Sequence, residues 1–278
     1  MERLQEALHR ARERRNSGVA ASKSGPQANP VSKPSHSEGV EEAWSNLKPF
    51  VPLPQLLEQN RIVSYFDKNL ATGFDLMRTK VLQQAKNKNW RRIIITSPSP
   101  RCGKTMTTAN LAFSLARQAD LKVMVLELDL RRPSLARVLG IKEPHYFAKA
   151  LAGSERPEDH LVRIGDNLAF GTNQAAATDP SELLQSSAAQ NALEEIEATY
   201  QPDILLFDSA PMLASDDTFG FLKNVDAALI VAAAEQTTIE EIDVTEAQVA
   251  EATEVMGVVL NKCRYAGGQY GYSSYGAN

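Results

Sequence analysis

Hydrophobic positions in this chain follow two rhythms. Short unbroken apolar runs recur at Ile93–Ile95, Val123–Leu126, Ile204–Phe207, Ala227–Ala233 and Gly257–Leu260, with a shorter one at Leu168–Phe170. Runs of that length, rich in β-branched residues, predict strands buried on both faces. Between them lie segments whose apolar residues return every three to four positions: Phe74–Gln84, Met106–Ala119 and Thr238–Thr253, with a further helix start at Asp179–Leu184. Strands alternating with helices predict an α/β fold with a mostly parallel central sheet covered by helices on both faces.

The two ends read differently. Met1–Arg15 places Leu4, Ala7, Leu8 and Ala11 among charges, the pattern of a short helix with a narrow apolar stripe and a basic end. Residues 16–42 are rich in Ser, Gly, Pro, Ala and Lys and read as a disordered linker. From Trp44 to Leu57 apolar residues and prolines return, so part of this stretch is expected to pack. At the far end, Tyr265, Tyr270, Tyr272 and Tyr275 are four of seven tyrosines, separated by Gly and Ser in a segment that cannot build a core. The organisation expected is residues 1–43 as helix plus linker, 44–264 as the folded domain, and 265–278 as a flexible tail.

Composition narrows the field. The chain has 278 residues, 43% of them hydrophobic, enough for one sizeable domain with tails. A net charge of −4 gives no reason to expect nucleic-acid binding. Two cysteines, Cys102 and Cys263, build no disulfide framework and suit a reducing cytosol. No apolar run reaches the length of a membrane span, and no secretory core follows Met1.

The chemistry concentrates where the first long strand meets its helix. Ile93–Thr96 is followed by a turn-rich loop, Ser97–Cys102, and by Gly103-Lys104-Thr105 opening the helix. Strand, loop, Gly-Lys-Thr and helix is the arrangement of a phosphate-binding P-loop. Backbone N–H groups of the loop and the positive end of the helix suit a polyphosphate. Ser99, Pro100, Arg101, Cys102, Gly103, Lys104, Thr105 and Met106 are the expected nucleotide contacts. Lys104 reaches the β- and γ-phosphates as a point charge, and Thr105 offers its hydroxyl to Mg²⁺. Pro98, Arg101 and Cys102 depart from the usual small or acidic residues of such loops; Cys102 reads as a small loop filler.

Acidic residues close two other strands. Val123–Leu126 runs into Glu127, Asp129 and Arg131, and Ile204–Phe207 into Asp208, a Walker B pattern. In an open parallel sheet these ends face the ligand crevice. Asp208 is expected on Mg²⁺. Glu127 or Asp129 would support the metal or take a proton from an attacking hydroxyl, and Arg131 would steady charge or an adjacent subunit. Asp216 and Asp217 fit a helix cap as well as a ligand contact.

Taken in order, Ser97–Thr105, Val125–Arg131, Ile204–Asp208, Gly257–Lys262 and the tyrosine tail resemble the bacterial tyrosine kinases of exopolysaccharide and capsule synthesis, over Phe74 to the C-terminus. The resemblance implies a P-loop NTPase fold and a cytosolic, ATP- and Mg²⁺-dependent autokinase. Its phosphoacceptors would be Tyr265, Tyr270, Tyr272 and Tyr275, modified in trans between neighbours of a homo-oligomeric ring. It also implies recruitment to the inner face of the membrane by a membrane-embedded chain-length regulator, whose cytosolic tail activates the kinase. The regulator is expected as a separate polypeptide, with Met1–Arg15 as part of the docking, and a cognate tyrosine phosphatase is implied. The sequence departs from the family at Glu127, where Asp is usual, and near Arg78, where Phe74-Asp75 replaces the expected acidic context. Two rivals stand beside this reading. A MinD/ParA-type switch ATPase usually carries an extra P-loop lysine, and Ser99 occupies that place. A nucleotide-binding adaptor without kinase activity is the other.

Overall fold

A computed structural model describes residues 36–66 and 70–263. Met1–Arg15 and the four tail tyrosines lie outside the described residues.

The helices, in chain order, are α1 (Glu38–Asn46), α2 (Pro54–Gln59), α3 (Thr72–Lys88), α4 (Lys104–Ala116), α5 (Leu135–Leu139), α6 (Phe147–Leu151), α7 (Pro180–Gln185), α8 (Ser187–Tyr200), α9 (Asp217–Phe221) and α10 (Ile239–Ala250). The strands are β1 (Lys48–Pro49), β2 (Arg92–Thr96), β3 (Val123–Glu127), β4 (Leu161–Ile164), β5 (Leu168–Gly171), β6 (Ile204–Asp208), β7 (Ala227–Ala233) and β8 (Glu254–Asn261). They form one eight-stranded sheet in the order β1-β4-β5-β3-β6-β2-β7-β8. Every pairing is parallel except the antiparallel β4–β5.

The unbroken apolar runs explain the layering. Successive strand side chains point to opposite faces. Ile93, Ile95, Val123, Val125 and Leu206 pack on one side with Val81 and Ala85 of α3 and Ala109, Leu111 and Leu115 of α4. Ile94, Met124, Leu126, Leu205 and Phe207 pack on the other with Val40 and Trp44 of α1, Leu193 and Ile196 of α8 and Val249 of α10. The expected α/β sheet covered on both faces is therefore observed. Strands β1 and β4 are the additions; the antiparallel turn from β4 to β5 passes through Gly165, at φ 67.

The domain starts earlier than its composition suggests. Residues 38–43, read as linker, belong to α1. Its polar outer face follows linker composition, but Val40 and Trp44 are buried. The Trp44 indole N–H donates to the Tyr200 carbonyl oxygen at 2.7 Å, and the Lys122 ammonium lies 5.0 Å from the ring centre. Long-range contacts, invisible in local composition, hold this helix. Among the described residues no helix is long and apolar enough to cross a membrane.

Candidate active site

The ends of β2, β3 and β6 meet at one cleft of about 580 Å³. Adjacent strands are in register there, with Glu127 of β3 opposite Asp208 of β6 and Asp208 opposite Ile95 of β2.

The loop after β2 is tied to itself and to its neighbours. The Ser97 hydroxyl donates to the Ser99 carbonyl oxygen at 2.9 Å, and the Cys102 thiol reaches the same oxygen at 3.1 Å. The Ser99 hydroxyl donates to Glu241 at 2.5 Å. Cys102 is buried, as a loop filler should be. Arg101 and Gly103 adopt positive φ, 66° and 95°. At Gly103 a Cβ would meet the Asn261 side-chain nitrogen at 2.2 Å, and that nitrogen donates to the Cys102 carbonyl at 2.9 Å. Asn261 thus closes the loop from the end of β8. Helix α4 starts at Lys104, and its first-turn N–H groups have no helical carbonyl to bond, which suits an anion.

Of the expected nucleotide contacts, Pro100, Arg101, Gly103, Lys104, Thr105 and Met106 line the cleft. Ser99 and Cys102 do not; their side chains hold the loop from behind. The Lys104 ammonium donates to Asp129 at 2.8 Å. Burial works against its charge, but Asp208 and Asp129 outweigh that and hold its pKa above the ordinary lysine value. Lys104 is therefore fully charged.

The four acidic and basic strand-end residues separate sharply. Asp208 is completely buried, and neither carboxylate oxygen has a hydrogen-bond partner. Burial pushes its pKa to about 6, against the pull of Lys104 and of the nearby Thr105 and Thr108 hydroxyls. Asp129 lines the cleft, with one oxygen on Lys104 and the other accepting the Arg132 N–H at 3.1 Å.

Glu127 is bonded mainly to backbone. It is fully buried, outside the cleft lining. One oxygen accepts the N–H groups of Ser134 and Leu135 at 2.6 and 2.7 Å, and the other accepts that of Asn173 at 2.8 Å. Burial pushes its pKa up to about 7 against those bonds. Its longer side chain lets it reach back and pin the loop after β3 to the loop after β5. With N–H groups on both oxygens, Glu127 holds these two loops together at the end of β3.

Arg131 steadies charge within the fold. It lines the cleft but is paired with Asp217 at 2.6 and 2.9 Å. Asp217, buried at the start of α9, also accepts from the hydroxyls of Ser181 and Ser215. Burial opposes its charge, yet these bonds together hold its pKa below the ordinary aspartate value. Asp217 makes no side-chain cap to α9; its carboxylate neutralises Arg131 instead.

Sequence reasoning missed Arg132, Ser134 and Arg137, all in the cleft lining. Arg132 stood beside Arg131 and could have been found; Arg137 sits on a one-turn helix that gives no signal. With Arg101 and Lys262, these arginines ring the mouth with positive charge. The Ser134 hydroxyl lies 3.3 Å from that of Thr105.

Residues 93–270 match the family model described as the CobQ/CobB/MinD/ParA nucleotide binding domain. The chain belongs to that family. Curated relatives include several bacterial proteins named as tyrosine-protein kinases, which bears out the resemblance read from the motifs. The tyrosine-protein kinase YwqD of Bacillus subtilis is 26% identical over 221 residues, 78% of this chain and 92% of the relative. The tyrosine-protein kinase ptk of Acinetobacter johnsonii is 29% identical over 200 residues, 70% of this chain but 26% of the relative. The chain spans about a quarter of the length of several relatives of that kind. Among solved structures, the VpsO kinase domain superposes with a TM-score of 0.62 at 27% identity, covering 72% of this chain and 99% of that one.

The residues present fit a magnesium nucleotide. The test is Asp208, whose buried oxygens lack a partner beside Lys104 and Thr105. Among the described residues no cluster of three His, Cys, Asp or Glu could hold a metal unaided. Mg²⁺ does not require one, since it is commonly held by one or two carboxylates together with substrate phosphates and water.

Proposed function

We propose that this chain is a protein-tyrosine kinase that transfers a phosphoryl group from MgATP to tyrosines of its own C-terminal segment, Tyr265, Tyr270, Tyr272 and Tyr275. The observation that carries the reading is the pairing of an unpartnered buried Asp208 with a charged Lys104 at a Gly103-opened helix, beside a cleft-lining Asp129.

Lys104 and the first turn of α4 would hold the phosphates, and Thr105 and Asp208 the Mg²⁺. Bound MgATP would supply an electrophilic phosphoryl group whose charge the metal and cations offset. Lys104 neutralises Asp129. As Lys104 turns to phosphate, Asp129 is released to accept the proton of a tyrosine hydroxyl, whose unperturbed pKa is near ~10. Arg132, with no carboxylate partner of its own among the described residues, supplies charge at the phosphates. Glu127 contributes by fixing Ser134 and the backbone that carries Asp129 and Arg132.

The wider reading has this kinase regulate exopolysaccharide or capsule polymerisation and export from the cytoplasmic face of the membrane. A membrane-embedded regulator would activate it, copies of the chain would associate, and a cognate phosphatase would reverse the modification. Support for these points is the motif resemblance, together with the kinase names of the relatives.

The test is incubation of the full chain with γ-labelled ATP and Mg²⁺, with and without the cytosolic segment of such a regulator, followed by phosphosite mapping. Label on the tail tyrosines that falls at least about a hundredfold in Lys104→Met supports the kinase. Phosphate release without tyrosine label would instead support a switch ATPase.

A further inference from the structure

The cationic rim does not stop at the cleft. Arg137 lines the cleft and also a neighbouring hollow of about 500 Å³ beside Pro133 and Ile141. Lys142 stands exposed in that hollow, and its walls contain no acidic residue. Among the described residues neither Arg137 nor Lys142 has a carboxylate partner; nearby Glu143 is paired with Lys48 instead. The Gln174 side chain in the wall is already committed, donating to the carbonyls of Ile141 and Glu143 at 2.8 and 3.0 Å. Recognition in the hollow therefore falls to two uncompensated cations, one shared with the cleft.

What anion they await follows from the acceptor. The segment from Arg264 to Asn278 contains no Asp or Glu. It becomes anionic only by being phosphorylated, when each phosphotyrosine carries about −1.5 to −2 charges. Its tyrosines are two to five residues apart. Bound as an extended strand, at about 3.3 Å per residue, such a peptide would set successive tyrosines about 7–17 Å apart, a span suited to adjoining hollows.

We infer that the hollow at Arg137 and Lys142 docks a phosphotyrosine already made on the acceptor segment and so presents the next tyrosine to the cleft. This rests on the kinase reading above. Arg137 offers the planar fork that grips a phosphate, and Lys142 a second point charge. The first transfer onto a fresh tail is the slow one, and later transfers gain from docking.

The experiment uses the full chain and two synthetic peptides of sequence 264–278, one phosphorylated at Tyr272. Rates of transfer and fluorescence-anisotropy binding are measured for wild type and Lys142→Glu; Lys142 lies outside the cleft lining. With wild type, the phosphopeptide should show a KM lower by about tenfold and correspondingly tighter binding, as expected for one charge-assisted contact. Lys142→Glu should abolish that advantage and leave the unphosphorylated peptide unchanged. Equal KM and binding for both peptides, or an advantage that survives in Lys142→Glu, overturns the docking site while leaving the kinase reading intact. Lys142-dependent phosphopeptide binding without transfer to either peptide would sink the kinase reading and keep the site.

Discussion

Replacing Asp208 by asparagine removes a charge that the fold buries without a partner. The carboxyl is completely buried, its oxygens are unpaired, and its pKa rises from 3.8 to about 6. A rise of that size sets roughly 3 kcal/mol against the ionised form. An asparagine at the site is still a buried polar group short of partners, at about 1–3 kcal/mol. The net expectation at pH 8 without nucleotide is a variant more stable by about 1 kcal/mol, or about 2–4 °C in Tm. The pH dependence is the sharper signature. A carboxyl whose folded pKa is raised keeps its proton longer in the folded state than in the unfolded one. Its contribution to stability is thus greatest below about pH 4, falls as pH rises to about 6, and is level above that. Urea denaturation from pH 4 to 8 should show the stability of wild type falling relative to that of Asp208→Asn, since the carboxylates held below their ordinary values contribute the opposite slope to both proteins. Glu127, raised to about 7, adds to the difference, because Asp208 contributes to that rise. MgATP, which should raise the wild-type Tm by binding only the folded state, should do so little in the variant. A variant less stable than wild type at pH 8, or with an unchanged slope between pH 4 and 6, would refute the idea that Asp208 is kept charged for a metal.

Two further predictions test the surroundings. Gly103→Ala should lower nucleotide affinity by at least about tenfold and cost about 1–3 kcal/mol, because the residue sits at φ 95° and the new methyl displaces Asn261; isothermal titration calorimetry and urea denaturation measure both. Trp44→Ala should cost about 3–5 kcal/mol by undocking α1 from Tyr200 and Lys122, with loss of amide-exchange protection across Glu38–Asn46 as the readout.

The fold was legible wherever local pattern and tertiary role agree. The strands β2, β3, β6 and β7 are apolar because both faces are covered, so the sequence pattern and the burial are one fact. Helix α10 begins where its apolar spacing predicts, and a Thr238–Glu241 capping box closes that end. Residues 38–43 were illegible for the opposite reason. Their composition is that of a linker, and what orders them is Trp44 reaching a carbonyl 156 residues away. Strand β4 is four residues of unexceptional pattern whose direction depends on a turn at Gly165.

The site divides along the same line, and Glu127 and Asp208 show why. The two acids face each other in register at the ends of neighbouring strands, and sequence gives both the same reading: apolar run, then carboxylate. Their chemistry is set by donors the strands do not carry. Ser134 and Leu135, seven and eight residues on, and Asn173, 46 residues on, turn their N–H groups to Glu127 and engage both its oxygens. No N–H turns toward Asp208. The extra methylene at Glu127, which reads in the sequence as a flaw in a metal ligand, is in the fold a reach toward backbone. The buried carboxylate without a partner is the one the proposed function gives to a cation. The same logic sorts the arginines: Arg131 is claimed by Asp217, and Arg132, beside it in sequence, stays available to phosphate. Residue type and spacing locate the ring of charges. Which charges remain unspent is decided by hydrogen bonds from distant loops, and those unspent charges are where the proposed chemistry and the proposed docking site both fall.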